Sequence, residues 1–538
     1  MDKIAALFDT NNGFPAELSN SWKIWGHHNA LYTQGFGADP TVMVYDDRVY
    51  LFASNDSLLF DVDGNVVQLA YGPGIQGLRA VSSADMVNWT DHGVINVGGT
   101  ESTNPLFPTN QPLASFPTVS WAPSAAWKMI GGKPQFFVYY ANSGNGIGVI
   151  TADSPAGPWR SPLNKLLIDR STPNCSNVIW LFDPGVFIDD DGSAFLFFGG
   201  GTQGAPSMDN TGQARRVRLN DDMVSIAGVP QTWHVPYLFE AQEMTKINGK
   251  YYFSYTVNWN AGWNRFGLKS AEIAYMTGEQ GPMGEFSDPC GLMPFAGTQL
   301  ASADENNHHC IFQFRGNTYI AYHTSKVAEA MGVAGFHYRS PCIDKVTVNP
   351  DGTLNPVTMT RKGVEQQGYL NPYIRNEAET IGIMGGVYTR PESGASNGMV
   401  VTSIDSGDWL GVYGVDFGNA GARQFTARVR MPETADYGAI ELRLDPEGAG
   451  VTGDNGNLNG ANTARIKGGK IIGRIWIKAE KGHEGEYATV TAVLDTTVTG
   501  VHDLVFVFYS SLGVNPETVN PDSRHKNGFE FDTWQFFG

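Results

Sequence analysis

The sequence predicts an all-β chain: a five-bladed β-propeller followed by a β-sandwich of jelly-roll type. Three observations carry this expectation. A strand–turn–strand unit recurs at least five times before about residue 360, and stretches with helical apolar spacing are almost missing. Past residue 377 the apolar and polar residues alternate between turn-rich segments, as in sheets with one buried face. The 64 glycines and 12% aromatic residues, set against 17% charged, also favour turn-rich β structure. At 538 residues the chain is too long for one core. Residues 1–365 are expected to form the propeller, 366–375 a linker and 376–538 the sandwich.

The units follow in order. The first opens at Asp39, runs through 41–45, turns at Asp46-Asp47 and returns through 48–52, with a further strand at 78–83. The second runs from Trp121 to Trp127, turns at Gly131-Gly132 and returns through 135–140. The third opens at Asp183, turns over 189–192 and returns through 194–198. The fourth opens at Glu240, turns at Asn248-Gly249 and returns through 250–255. The fifth opens at His308, turns over 315–317 and returns through 318–323. The spacing of openings is irregular but near ~60 residues, the size of a blade of about four antiparallel strands. In the second domain the alternating segments are 425–429, 439–444, 471–477 and 501–508.

The formal charge of −18 argues against nucleic acid and anionic membranes, which need basic patches, and tolerates a neutral ligand. Cys175, Cys290, Cys310 and Cys342 lie far apart without metal-type pairing and read as buried or idle thiols. No run is long enough to span a bilayer. Residues Met1–Asp9 lack the apolar core and cleavage site of a signal peptide, so the expected compartment is cytoplasmic, or secreted had a leader been removed. Oligomeric state is not legible.

Asp39, Asp183 and Glu240 each stand at the opening of one unit. A radial fold would bring them together at one end of its channel, and three acids at one centre mean acid–base chemistry, with glycosidic bond cleavage the best match. As turn formers beside prolines they would carry no chemistry. Glu243 is the competing acid in the fourth unit. In a strand, residues an odd number apart face opposite sides, so only one of Glu240 and Glu243 should point at the axis.

In combination, Ala38-Asp39-Pro40, the stretch Ser82–Trp89, Trp121-Ala122-Pro123, Phe182-Asp183-Pro184-Gly185 and Phe239-Glu240-Ala241 resemble glycoside hydrolase family 43 over the first ~360 residues. The rest, with Ser406–Trp409, Val415–Gly418 and Asp532-Thr533-Trp534, resembles a family 6 carbohydrate-binding module. The first resemblance implies an inverting exo-hydrolase, with Asp39 as general base, Glu240 as general acid and Asp183 tuning and orienting Glu240. The substrate implied is arabinoxylan or its oligosaccharides, with release of α-L-arabinofuranose. A β-1,4-xylosidase, or an enzyme of both activities, is the alternative, and a non-catalytic sugar-binding propeller the rival from another class. The pocket loop from Asn55 to Gln76 would separate the first two.

By the same resemblance Trp121 walls the sugar site, His308 stands near a water-coordinated channel cation, and Arg339 contacts substrate. A core Trp121, a satisfied histidine with His309 in the axial place, and a surface Arg339 are the structural alternatives. The module resemblance implies a structural calcium held by Glu377, Glu379 and Asp532. By the same resemblance its aromatic sugar clamp reads as incomplete: Tyr487 offers one ring, and Val412 stands about where the partner ring is expected.

Overall fold

In the computed structural model the described residues are 18–56, 75, 77–98, 112–201, 208–299, 306–333, 337–432, 435, 437–449, 465–478, 485–511 and 528–538. The N-terminal reading over Met1–Asp9 and most of the Asn55–Gln76 loop lie outside them. Among the described residues, five antiparallel sheets precede residue 350. Blade one holds Ala38–Tyr45, Arg48–Ser54, Leu78–Ser83 and Trp89–Ile95. Blade two begins with Trp121–Ile130, blade three with Gly185–Ile188, blade four with Leu238–Ile247 and blade five with His309–Phe314. Each first strand packs against the first strand of the next blade, and blade five packs back on blade one. That closed ring makes a five-bladed propeller.

The sheets form where the sequence alternates or runs apolar. Ala194–Phe198 is buried on both faces because neighbouring blades cover it. Between blades lie separate cores, such as Phe137, Leu196 and Phe198 between two and three, or Phe197, Phe253 and Met276 between three and four. Blade five meets blade one through residues 29–37. Asn29 takes the Ile343 amide on its side-chain oxygen at 2.8 Å, and the Gly37 amide donates to the Arg339 carbonyl at 2.8 Å.

The second domain is a β-sandwich. One sheet carries Tyr388–Pro391, Met399–Thr402, Glu530–Phe537, Ala422–Arg430 and Tyr487–Val498; the other carries Ile383–Gly385, Trp409–Asp416, Val501–Ser510, Tyr437–Leu444 and Lys470–Lys478. Phe425, Phe506, Phe531, Trp534 and Phe536 fill the space between them. Helix is confined, among the described residues, to Ala296–Gln299 and Lys326–Ala330.

The two domains are welded. Thr380–Ile381 pairs with Trp89–Thr90 and extends the blade-one sheet. Val87, Trp25, Trp409 and Tyr413 share one apolar cluster. Asn88 and Tyr413 exchange bonds of 2.9 and 2.8 Å, and Thr389 donates to buried Asp91 at 2.6 Å. The segment expected as a linker is also packed: Gln366 donates to Asp85 at 3.0 Å and to the Tyr413 carbonyl at 2.9 Å.

Candidate active site

In blades one, two and four the start of the inner strand is irregular, and this helps aim side chains at the axis. Ladder register slips between Ala38 and Thr41, between Trp121 and Ser124, and between Glu240 and Glu243. At these bulges Asp39, Ala122 and Ala241 have φ of 52°, 40° and 59°, and Asp183 at the head of blade three has 49°. Such left-handed backbone in non-glycine residues is a strained, over-determined feature. It also corrects the sequence alignment of the blades. Asp39 and Asp183 occupy the left-handed position itself, whereas Glu240, like Trp121, comes one residue before it.

Asp39, Asp183, Glu240, Trp121, His308 and Arg339 nevertheless line one cavity of about 400 Å³, together with Trp180, Phe182, Phe239, Trp259 and Asn306. The three acids are 6%, 4% and 7% exposed, so their charges are settled by neighbours rather than by bulk water.

Burial pushes Asp39 up, but the Arg339 guanidinium at 3.2 Å, the flanking imidazoles and the Ser54 hydroxyl at 2.7 Å outweigh it and hold the carboxyl at about 2. Asp183 goes the other way: burial and the charge of Asp39 raise it to about 8, against one amide bond from Ala241 at 3.0 Å. Glu240 is raised well above the carboxylate range by burial, then by Asp183 and Asp39. Its Oε1 has no hydrogen-bond partner among the described residues. The cavity therefore holds both one fixed carboxylate and a protonated acid with an unspent oxygen.

Arg339 is 1% exposed and is no surface charge. It forks onto Asp56 through Nε and Nη2, both at 2.9 Å, while Nη1 serves Asp39 at 3.2 Å and Asn306 at 2.9 Å. At least four of its five N–H donors are thus spent on protein, which makes it first the residue that fixes Asp39. His308 Nδ1 lies 3.7 Å from Asp39 and 3.8 Å from Asp183, and burial lowers its pKa to about 4, leaving the ring neutral. The adjacent His309 turns away to the Ser254 hydroxyl at 2.7 Å.

Glu243 corrects the parity argument. The bulge inserts a step between it and Glu240, so both face the axis at different depths. Its carboxyl takes a bond from Ser124 of blade two, a blade not adjacent to its own, which only a side chain at the axis can reach. Glu240 is the one in the cavity.

Several partners carry no sequence signal. Asp56 follows the second strand of blade one and is 1% exposed beneath Arg339. Ser54 accepts the Ala122 amide at 2.8 Å while donating to Asp39. His323 accepts the Asp39 amide at 3.0 Å, and an isolated buried histidine at a strand end was the one visible hint. Trp180 stands just before the Phe182–Gly185 motif without belonging to it, and Trp259 sits in a loop with no motif around it.

In the sandwich, Tyr487 carries the Arg428 and Arg430 guanidinium groups 4.2 and 4.9 Å from its ring centre, and Val412 is fully buried. Glu377, Glu379 and Asp532 are neighbours. Glu377 Oε2 and Glu379 Oε2 are buried without partners, while Asp532 bonds the Arg428 guanidinium and the Ser396 amide. Among the described residues no three His, Cys, Asp or Glu side chains converge at metal-binding spacing.

The sequence profile of glycosyl hydrolases family 43 matches residues 32–354, and that of carbohydrate binding module family 6 matches 377–522. The chain is 38% identical to an arabinoxylan arabinofuranohydrolase of Paenibacillus polymyxa, over 96% of this chain and 75% of that one. It is also 38% identical to the arabinoxylan arabinofuranohydrolase of Bacillus subtilis (strain 168), over 95% of this chain and 92% of that one. Among solved structures, a glycoside hydrolase family 43 arabinoxylan arabinofuranohydrolase from Bacillus subtilis in complex with cellotetraose superposes with a TM-score of 0.83. The match has 37% identity and covers 96% of this chain and 99% of that one.

Proposed function

The chain belongs to glycoside hydrolase family 43 and carries a family 6 module, and from that membership we propose an inverting exo-hydrolase that releases α-L-arabinofuranose from arabinoxylan. The observation that carries the reading is the split in charge between Asp39 and Glu240 inside one cavity. Ionised Asp39 takes a proton from water as the water attacks the anomeric carbon. Protonated Glu240 gives its proton to the departing oxygen, and inversion follows because water and leaving group lie on opposite faces of the sugar. Asp183 and Glu240 each disfavour ionisation of the other, since two buried carboxylates at one centre would repel, and this helps hold the proton on Glu240 past the ordinary carboxylate range. Trp121, Trp180 and Trp259 offer apolar walls to the sugar ring.

Proton NMR of arabinoxylan digestion tests this. The expected first product is arabinose of inverted anomeric configuration, followed by slow mutarotation. Xylose as the product would keep the chemistry and change the substrate; retained configuration would overturn the mechanism. The pH profile should follow the same split: kcat/KM stays high until Asp39 protonates in strong acid, and falls on the alkaline side as the Asp183–Glu240 pair loses its proton, above the ordinary carboxylate range.

A calcium ion in the sandwich would be held by Glu377 and Glu379, whose buried orphan oxygens suit a hard cation. Asp532 would join them only by yielding its bond to Arg428. Calcium should raise the melting temperature, by about 2.7 kcal/mol of stability at a hundredfold excess over Kd, and Glu379→Gln should remove the effect. Differential scanning calorimetry with calcium and with EGTA measures it. The channel cation expected beside His308 would be held mainly through water, since among the described residues no three His, Cys, Asp or Glu side chains meet at metal-binding spacing. Sugar binding by the sandwich is not part of the proposal, because the Tyr487 ring is already engaged.

A further inference from the structure

Trp263 is 93% exposed, more than any other large apolar side chain among the described residues. It is not on a loose loop. Asn258, 2% exposed, donates its amide to the Tyr237 carbonyl at 2.8 Å and accepts the Asn260 amide on its side chain at 2.8 Å. Asn264, 7% exposed, accepts the Leu268 amide at 3.0 Å and donates to the Leu268 carbonyl at 2.8 Å and the Gly262 carbonyl at 3.2 Å. Two buried amides thus clamp the loop on both sides of the indole. Gly262, at φ +56°, makes the turn that sends Trp263 outward.

The loop is also at the mouth of the cavity. Its root bonds Tyr237, three residues before Glu240, and Trp259 on the same loop packs on Phe295 at 5.0 Å and lines the cavity wall. Four residues of chain reach no more than ~14 Å, so Trp263 stands within that distance of the wall that Trp259 forms. An indole held rigidly in water forgoes burial, and a protein surface carries such a group mainly where a partner covers it. Outside the cavity, the only part of a bound branched polysaccharide within reach is its main chain. A pyranose ring presents an apolar C–H face to an aromatic plane, and a neutral sugar suits a chain of net charge −18.

We propose that Trp263 is an outer stacking platform for a pyranose of the polysaccharide main chain, placed beyond the cavity that takes the cleaved sugar. The inference rests on the proposed arabinoxylan reading. It makes Trp263 a determinant of polymer preference that takes no part in the chemistry.

The test compares Trp263→Ala and Trp263→Phe with the wild type in the full chain, on arabinoxylan and on 4-nitrophenyl α-L-arabinofuranoside. The expected result is a KM for the polymer raised roughly three- to tenfold in Trp263→Ala with kcat kept, recovery in Trp263→Phe, and unchanged constants on the aryl glycoside. An unchanged polymer KM overturns the proposal, and so does equal loss on both substrates. Affinity electrophoresis in arabinoxylan gels reads the same contact without turnover. If the wild type cleaves neither substrate, the function proposed above fails, and retardation of the wild type but not of Trp263→Ala still upholds the platform. Equal retardation of both overturns it, as does a dimer that Trp263→Ala dissociates while leaving retardation unaltered.

Discussion

Replacing Glu240 by glutamine lowers kcat on arabinoxylan by ~10²–10⁴-fold, the typical weight of a general acid acting on a poor leaving group. Glutamine keeps the shape and removes only the transferable proton. An aryl arabinoside with an activated phenol leaves without full protonation, so its loss should be smaller; Asp39→Asn should reduce both substrates alike, because the same water must be activated to displace either leaving group. The ratio of the two losses, read from steady-state kinetics, separates acid from base. The same glutamine should raise the melting temperature near neutral pH. Glu240 has its pKa raised on folding, so the folded protein holds a proton that the unfolded chain gives up above the usual carboxylate pKa. Folding at neutral pH therefore costs free energy at this site, and an amide removes that cost. An activity-bearing group that destabilises its own fold is what a site built for catalysis predicts.

Arg339→Met is expected to destabilise the protein by ~3–5 kcal/mol and to abolish activity, because it strands two buried carboxylates without a counter-charge. Asp56 is 1% exposed and Asp39 6%, and both depend on this one guanidinium. The double variant Arg339→Met/Asp56→Asn separates the two roles. Neutralising Asp56 should recover much of the stability, measured by denaturant titration, while turnover stays low. Without the guanidinium, burial dominates at Asp39 and its pKa rises, so any residual activity should show an acid limb moved to higher pH. Recovery of full activity in the double variant would mean that Arg339 only supports the fold. Arg339→Lys is not expected to rescue, since an ammonium cannot fork onto Asp56 and reach Asp39 together.

How much of this was legible beforehand differs from residue to residue. Strand periodicity, Asp-Gly and Asn-Gly turns and the recurrence near ~60 residues are local signals, and they are enough to place five blades and a sandwich. The all-β, two-part architecture was readable for that reason, and so was the candidacy of Asp39, Asp183 and Glu240, each of which heads a unit. Register was not. A bulge adds one residue without any compositional mark, so the one-residue offset of Glu240 and the axial placement of Glu243 could not be seen in a parity count.

Charge state lay further still from the sequence. Nothing local says that Asp39 is ionised and Glu240 protonated, or that Arg339 serves a carboxylate 283 positions away. Those facts come from ring closure, which sets blade five against blade one and buries four acids around a single guanidinium. The docking of the sandwich onto blade one through Thr380–Ile381 is of the same kind. Local strand and turn chemistry is written in neighbouring residues and dictated the elements, the family pattern and the candidate acids. Register, protonation and partner choice depend on groups that meet only after the chain has closed on itself, so only the folded ring assigns them.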